Sequence, residues 1–157
     1  MQGPLIPHLA AAVALAILAA GCTVPGRSHP LADTSWILTE IRNGDGDLVP
    51  VLAGTLVTAA FSRDDRVTGS AGCNRYFASY SADGNGITIR NAGSTKMFCG
   101  SPEGLMVQES RFLSHLAVAS TFTINGTVLT LRGSAGLPLL VFREGAAAQE
   151  TGSLPAP

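Results

Sequence analysis

Net charge is nearly absent from this chain: ten basic residues face eleven acidic ones, for a formal charge of −1. A nucleic-acid binder needs a basic face to release counterions from phosphates, so the balance argues against that class. Lysine is almost missing, Lys96 being the only one, and the arginines show no clustering along the chain. No HExxH, GxSxG, Walker or CxxC pattern occurs, which leaves hydrolase and metalloprotease readings without a foothold. No internal repeat stands out. The longest apolar run, Leu9 to Ala20, has about 12 residues, too short to span a bilayer as a helix and as long as a secretory h-region.

The apolar run closes on small residues. Ala19, Ala20 and Gly21 stand directly before Cys22, and this ending resembles the lipobox of bacterial lipoproteins. The resemblance implies cleavage before Cys22 and acylation of its sulfur and amine by chains of the palmitate type. Several acyl chains, at ~0.8 kcal/mol per buried CH2, hold a small domain on a membrane. The expected address is the extracytoplasmic side of the cell envelope. Thr23, rather than Asp, comes after Cys22, which points to the outer membrane facing the periplasm in a diderm cell. Residues 1–21 then read as a lipoprotein signal peptide and 22–32 as a Pro/Gly/Ser-containing tether. Residues 33–144 form one folded domain, and 145–157 a low-complexity tail.

Three cysteines is an odd number, but the lipid claims Cys22 and leaves Cys73 and Cys99. In an oxidising compartment two otherwise unemployed cysteines pair with each other. The competing reading, a nucleophilic Cys73, needs a base to form its thiolate. His115 is the only histidine of the expected domain, and by helical phase it points to solvent.

Between tether and tail the sequence is a series of short β-like runs separated by turn signals, the pattern of an antiparallel sheet. "TSWILTEIR" puts Trp36 and Leu38 on one face and Ile37 and Ile41 on the other, before the turn "NGDGD". "TLVTAAF" and "RVTGSAGCNRYFASY" come next as strands, the second with a bulge or close backbone approach at Gly69 and Gly72, and with Asn74, Tyr76 and Tyr80 on one face. "DGNG" marks a hairpin, "STFTI" and "TVLTL" form another across Asn125-Gly126, and "LPLLVF" closes the series.

One segment breaks the β pattern. "SPEGLMVQESRFLSHLAVA" offers Ser101 as N-cap, Pro102 at the first helical position and Glu103 in the first turn. Leu105, Met106, Phe112, Leu113 and Leu116 then share a helix face, with Glu109 in its middle. A buried, unpaired carboxylate is costly. Glu109 is therefore expected to find partners among Asn74, Arg75, Thr95 or the backbone N–H groups before the helix, as a structural anchor. Asn43, Asp45 and Asp47 alternate like the start of a calcium loop, but Gly54 stands where the twelfth-position Glu belongs; a turn is the simpler reading. The charge-balanced "RDDR" of Arg63 to Arg66 reads as a solvated turn.

These pieces together resemble the META/HslJ-like domain family. The resemblance rests on "GSAGCNRYFASY", on "STKMFCGSP" leading into the helix, on the spacing of Met106, Glu109, Phe112, Leu113 and Leu116, and on "LTLRGSAGLPLLVF". It covers about Thr34 to Phe142. It implies an α+β fold: a mainly antiparallel curved sheet, an open half-barrel, with one packed α-helix. It gives Cys73, Asn74, Tyr76, Thr95, Cys99 and Glu109 structural roles, and it supplies neither catalytic residues nor a cofactor or metal. The implied function is that of a non-enzymatic envelope lipoprotein, a binding or chaperone-like domain with a possible place in envelope stress. Pilotin lipoproteins of similar architecture suggest the alternative, a carrier of a lipid or small apolar ligand. The expected partners are the membrane, through Cys22, and an envelope protein or apolar ligand, with no nucleic acid.

Overall fold

The computed structural model describes residues 29–145 of the chain. The expected signal peptide, Cys22, most of the tether and the tail beyond 145 lie outside the described residues. The elements are β1 (Thr34–Arg42), β2 (Leu48–Pro50), β3 (Thr58–Phe61), β4 (Arg66–Ser70), β5 (Arg75–Asp83) and β6 (Gly86–Ser94), then α1 (Leu105–Val118), then β7 (Thr121–Asn125), β8 (Val128–Arg132) and β9 (Pro138–Glu144).

Turn chemistry sets this order. Gly84 and Gly126 take φ of 55° and 58° in the β5–β6 and β7–β8 hairpins, a conformation that costs glycine little. In the β1–β2 turn the Asn43 amide oxygen accepts the backbone N–H groups of Asp45 and Asp47, at 3.0 and 2.8 Å. The alternation in "NGDGD" thus serves a side-chain-capped turn.

All pairings are antiparallel, in the order β2-β1-β3-β4-β5-β6-β7-β8-β9, and β9 also pairs with β1. One edge of β1 is divided between β3, at Thr34 to Ile37, and β2, at Glu40 to Arg42. Its other edge takes β9. The circuit is nearly complete, but β6 and β7 meet at one residue pair, Gly86 with Thr121. The nine-stranded sheet is therefore a partial ring, open along that seam, with the one α-helix of the described residues packed on β6 and β9.

Burial keeps to the two-residue period where the ladder is regular: on β5, Tyr76, Ala78 and Tyr80 are buried and Arg75, Phe77 and Ser79 exposed. On β1 the register against β9 shifts between Leu38 and Glu40, and the bulge carries Ile41 back inside with Trp36 and Leu38. Strict alternation had set it on the opposite face. Phe112 of α1 is fully buried, edge-on to Tyr76 and Phe142 at centroid distances of 5.3 and 6.5 Å. Burying such a ring contributes about 1.5–3 kcal/mol.

Several expectations need correction. Leu31, expected in the tether, is fully buried in the core, and His29 packs edge-on against Tyr80 at 5.1 Å. The folded body thus begins ahead of residue 33. The helix begins at Leu105, not Ser101, because Gly104 holds φ 85° and the Leu105 N–H closes a turn onto the Pro102 carbonyl; no side chain caps it. "RVTGSAGCNRYFASY" is two strands with a corner between them, where the Ala71 N–H donates to the Asn74 carbonyl at 2.7 Å. Gly72 takes φ 117° in that corner.

Candidate functional site

The β4–β5 corner, the irregular segment after β6 and the first turns of α1 meet at one place, and Asn74 is its centre. With 2% exposure, this amide has to find all its partners inside the protein. Its Oδ1 accepts the Thr95 hydroxyl and the Met97 N–H, both at 2.7 Å. Its Nδ2 donates to the Met97 carbonyl at 3.1 Å and to Glu109 Oε1 at 2.6 Å. Glu109 Oε2 accepts the backbone N–H groups of Cys73 and Asn74, at 3.1 and 2.7 Å. Thr95 in turn accepts the Arg75 N–H at 3.2 Å.

Helix phase puts Glu109 there, one turn before Phe112 on the buried face. Its partners are Asn74 and the N–H groups of the β4–β5 corner. The N–H groups ahead of the helix, one of the expected alternatives, go elsewhere: Met97 bonds Asn74, and the Cys99 N–H lies 3.5 Å from Met106 Sδ. Beside this polar knot a Cys73–Cys99 disulfide joins corner to segment, with an S–S distance of 2.03 Å. Three stretches distant in sequence are thereby held as one body.

Tyr76 contributes from the neighbouring position. Its hydroxyl donates to the Thr58 carbonyl at 2.9 Å, and burial raises its pKa. That carbonyl can lean inward because Gly69 lacks a Cβ: one placed there would sit 2.1 Å from the Thr58 oxygen. The glycine in the strand therefore marks a close backbone approach. At the far end of β5, burial first and then the charges of Asp65 and Asp33 push the Tyr80 pKa up to about 12.

Sequence reasoning missed Gln108. It is 5% exposed, accepts the Leu52 N–H on Oε1 at 2.7 Å, and donates from Nε2 to Thr55 Oγ1 at 3.1 Å, tying the β2–β3 connection to the helix. Leu105, Gln108, Glu109, Phe112 and Leu116 share the buried face, so spacing alone could have singled it out. His115 was expected in solvent; it is partly buried, and its Nε2 lies 2.8 Å from the Arg42 carbonyl, which docks α1 onto the end of β1. The structure does not bring Cys73 and His115 together as nucleophile and base, since each is engaged elsewhere.

Chemically, the knot holds shape. Both Glu109 oxygens are occupied by donors. Among the described residues no three His, Cys, Asp or Glu side chains are grouped to hold a metal ion, and no helix is long and apolar enough to cross a membrane. Beside the knot stand exposed apolar side chains, Met97 and Phe98 on the clamped segment at 56% and 83% and Val107 on the helix at 59%, with Thr95 and Lys96 exposed next to them.

The META domain profile matches residues 29–146 of the chain. Among solved structures, a protein from Burkholderia xenovorans, determined by NMR, is 25% identical. The match covers 90% of this chain and 99% of that one, with a TM-score of 0.62. A second NMR structure is 18% identical over 72% of this chain and 90% of its own, with a TM-score of 0.55. A DUF4847 family protein from Bacteroides vulgatus is 15% identical over 73% and 94%, with a TM-score of 0.51, and shares the fold. No curated protein matches the sequence.

Proposed function

Because the chain belongs to the META domain family, we propose that it is a non-enzymatic binding or chaperone-like module of the cell envelope, held on the membrane by lipid on Cys22. The observation that carries this reading is the pairing of a rigid base with an exposed apolar cap. Phe98 is 83% exposed, yet the backbone on either side of it is fixed, by Asn74 at Met97 and by the disulfide at Cys99. An exposed aromatic on a preorganised support loses little entropy on binding. Apolar groups clustered in this way mark interaction sites.

The alternative, a carrier of lipid or a small apolar ligand, calls for a hollow between helix and sheet. Phe112, Leu116 and Phe142 occupy that space with no exposure, which favours binding at the surface over carriage inside. A place in envelope stress is part of the proposal and rests on the family resemblance alone.

The test is a photo-reactive amino acid at position 98, in cells producing the full chain. Ultraviolet cross-linking is expected to trap a discrete envelope protein in the membrane fraction, with Cys22→Ser releasing the chain from that fraction. No cross-linked protein above background would refute the binding role, and unchanged membrane retention of the Cys22→Ser chain would refute the anchor.

A further inference from the structure

Two clefts on the helix side of the molecule share a wall. One, of about 280 Å³, includes Lys96, Met97 and Met106. The other, of about 500 Å³, runs along the outward face of α1 over Met106, Val107 and Arg111. Met106 and Ser110 line both, so a single trough passes from the clamped segment to the middle of the helix. Met97, Met106, Val107 and Leu113 give it apolar surface among polar side chains, with Lys96 lining one cleft and Arg111 the other.

Neither cation is ion-paired among the described residues. Arg111 extends toward the β1–β2 turn, its Nη2 3.9 Å from where a Cβ on Gly44 would sit, yet it pairs with neither Asp45 nor Asp47. The one carboxylate in the trough wall, Glu109, has both oxygens committed to the polar knot. The trough therefore offers unneutralised positive charge beside uncovered apolar surface. Methionine suits such a floor, because its unbranched thioether adapts to different apolar shapes.

Resting on the binding-module reading, we infer that this trough takes an amphipathic protein segment whose apolar side covers Met97, Met106 and Val107 and whose carboxylates pair with Lys96 and Arg111. The helix rises about 12 Å from Met106 to Ser114, so roughly two turns of a helical partner are enough to span it. An anionic lipid surface shares the same chemistry. Geometry favours the protein segment: the chain enters the domain at His29, against Tyr80, whereas the trough begins at Asn74, six residues before Tyr80, just ahead of the start of β5 and ~20 Å away. The anchor proposed at Cys22 thus joins the domain at the end away from the trough, which leaves the trough open to a protein segment.

The experiment uses the chain carrying Cys22→Ser and three probes. These are a labelled amphipathic peptide with leucines at helical spacing and flanking glutamates, the same peptide with lysines in their place, and vesicles of phosphatidylglycerol and phosphatidylethanolamine. The acidic peptide is expected to bind at least about tenfold more tightly than its lysine counterpart. Val107→Ser and Arg111→Glu are each expected to weaken it about tenfold, with thermal midpoints unchanged. Arg111→Glu is also expected to strengthen binding of the lysine peptide. Equal affinity for both peptides, indifference to both substitutions, or vesicle binding without peptide binding overturns the inference. If cross-linking at position 98 traps a protein while the two peptides bind alike, the binding-module reading stands and this inference alone falls.

Discussion

Replacing Glu109 by alanine tests the polar knot directly. The carboxylate accepts three hydrogen bonds, from the Cys73 N–H, the Asn74 N–H and the Asn74 side-chain amide. Glu109 and Asn74 are 5% and 2% exposed, so water cannot simply take its place. The Cys73 N–H lies at a partly exposed corner and can be resolvated; the two Asn74 donors cannot. Stranding two buried donors costs about 1–3 kcal/mol each, for a range of about 2–6 kcal/mol. Removing a buried carboxylate also spares its desolvation, which opposes the loss. A net loss of about 3 kcal/mol is expected for Glu109→Ala, a large share of the about 5–15 kcal/mol that holds a domain together. Glu109→Gln discriminates further, because its amide nitrogen would face either the Asn74 amide or the two backbone donors. Flipping Asn74 does not help, since its Oδ1 already serves Thr95 and Met97. About 1–2 kcal/mol is expected there, from one donor left facing another. Urea unfolding of the oxidised protein, with the m-value held to the parent's, measures both. An alanine variant within about 0.5 kcal/mol of the parent would refute the reasoning, as the carboxylate would then not be holding the corner to the helix.

The remaining expectations are simpler. Replacing both Cys73 and Cys99 by serine should lower stability by roughly 3.5 kcal/mol, since the bridge spans 26 residues and constrains the unfolded chain; denaturant midpoints of the variant and the parent check it. Gly69→Ala should cost more than about 2 kcal/mol or abolish folding, because the new Cβ would overlap the Thr58 carbonyl; normal soluble yield and melting would argue against the close approach. Tyr80 keeps its proton in the folded state from the ordinary value near 10 up to about 12. Its contribution is therefore full below pH 10 and fades as pH climbs from there through 12. Ultraviolet titration of tyrosinate should show almost no ionisation at pH 11 while circular dichroism still reports the fold, and ordinary titration near 10 in folded protein would contradict the burial.

Much of the sheet was legible because its signals are local. Glycines at the β5–β6 and β7–β8 turns, and the alternation along β5, report conformation within a few residues. The features that escaped depend on partners far away. Ile41 faces inward because β9, about a hundred residues on, imposes a bulge on β1, and nothing around Ile41 encodes that shift. The helix start was misplaced because Ser101, Pro102 and Glu103 carry good start chemistry, while the backbone at Gly104 rules against it. At the site, Glu109 stood out as a charge on an apolar face and Asn74 was among its candidate partners. That the corner's own N–H groups would complete the set was hidden by reading the corner as continuous strand. Gln108, neutral and ordinary in composition, gave only its spacing.

The pairing of β1 with β9 carries a consequence for how the chain comes to be folded. Trp36 sits opposite Glu144, so the first long strand cannot satisfy its second edge until the last strand exists. Any shorter nascent chain exposes a row of unpaired backbone groups along β1, and closing so long a loop is slow. A ribosome still short of residue 138 therefore holds a product that cannot finish folding. Under the proposed envelope role, where the chain would cross a membrane as an unfolded thread, this arrangement supplies a delay written into its topology.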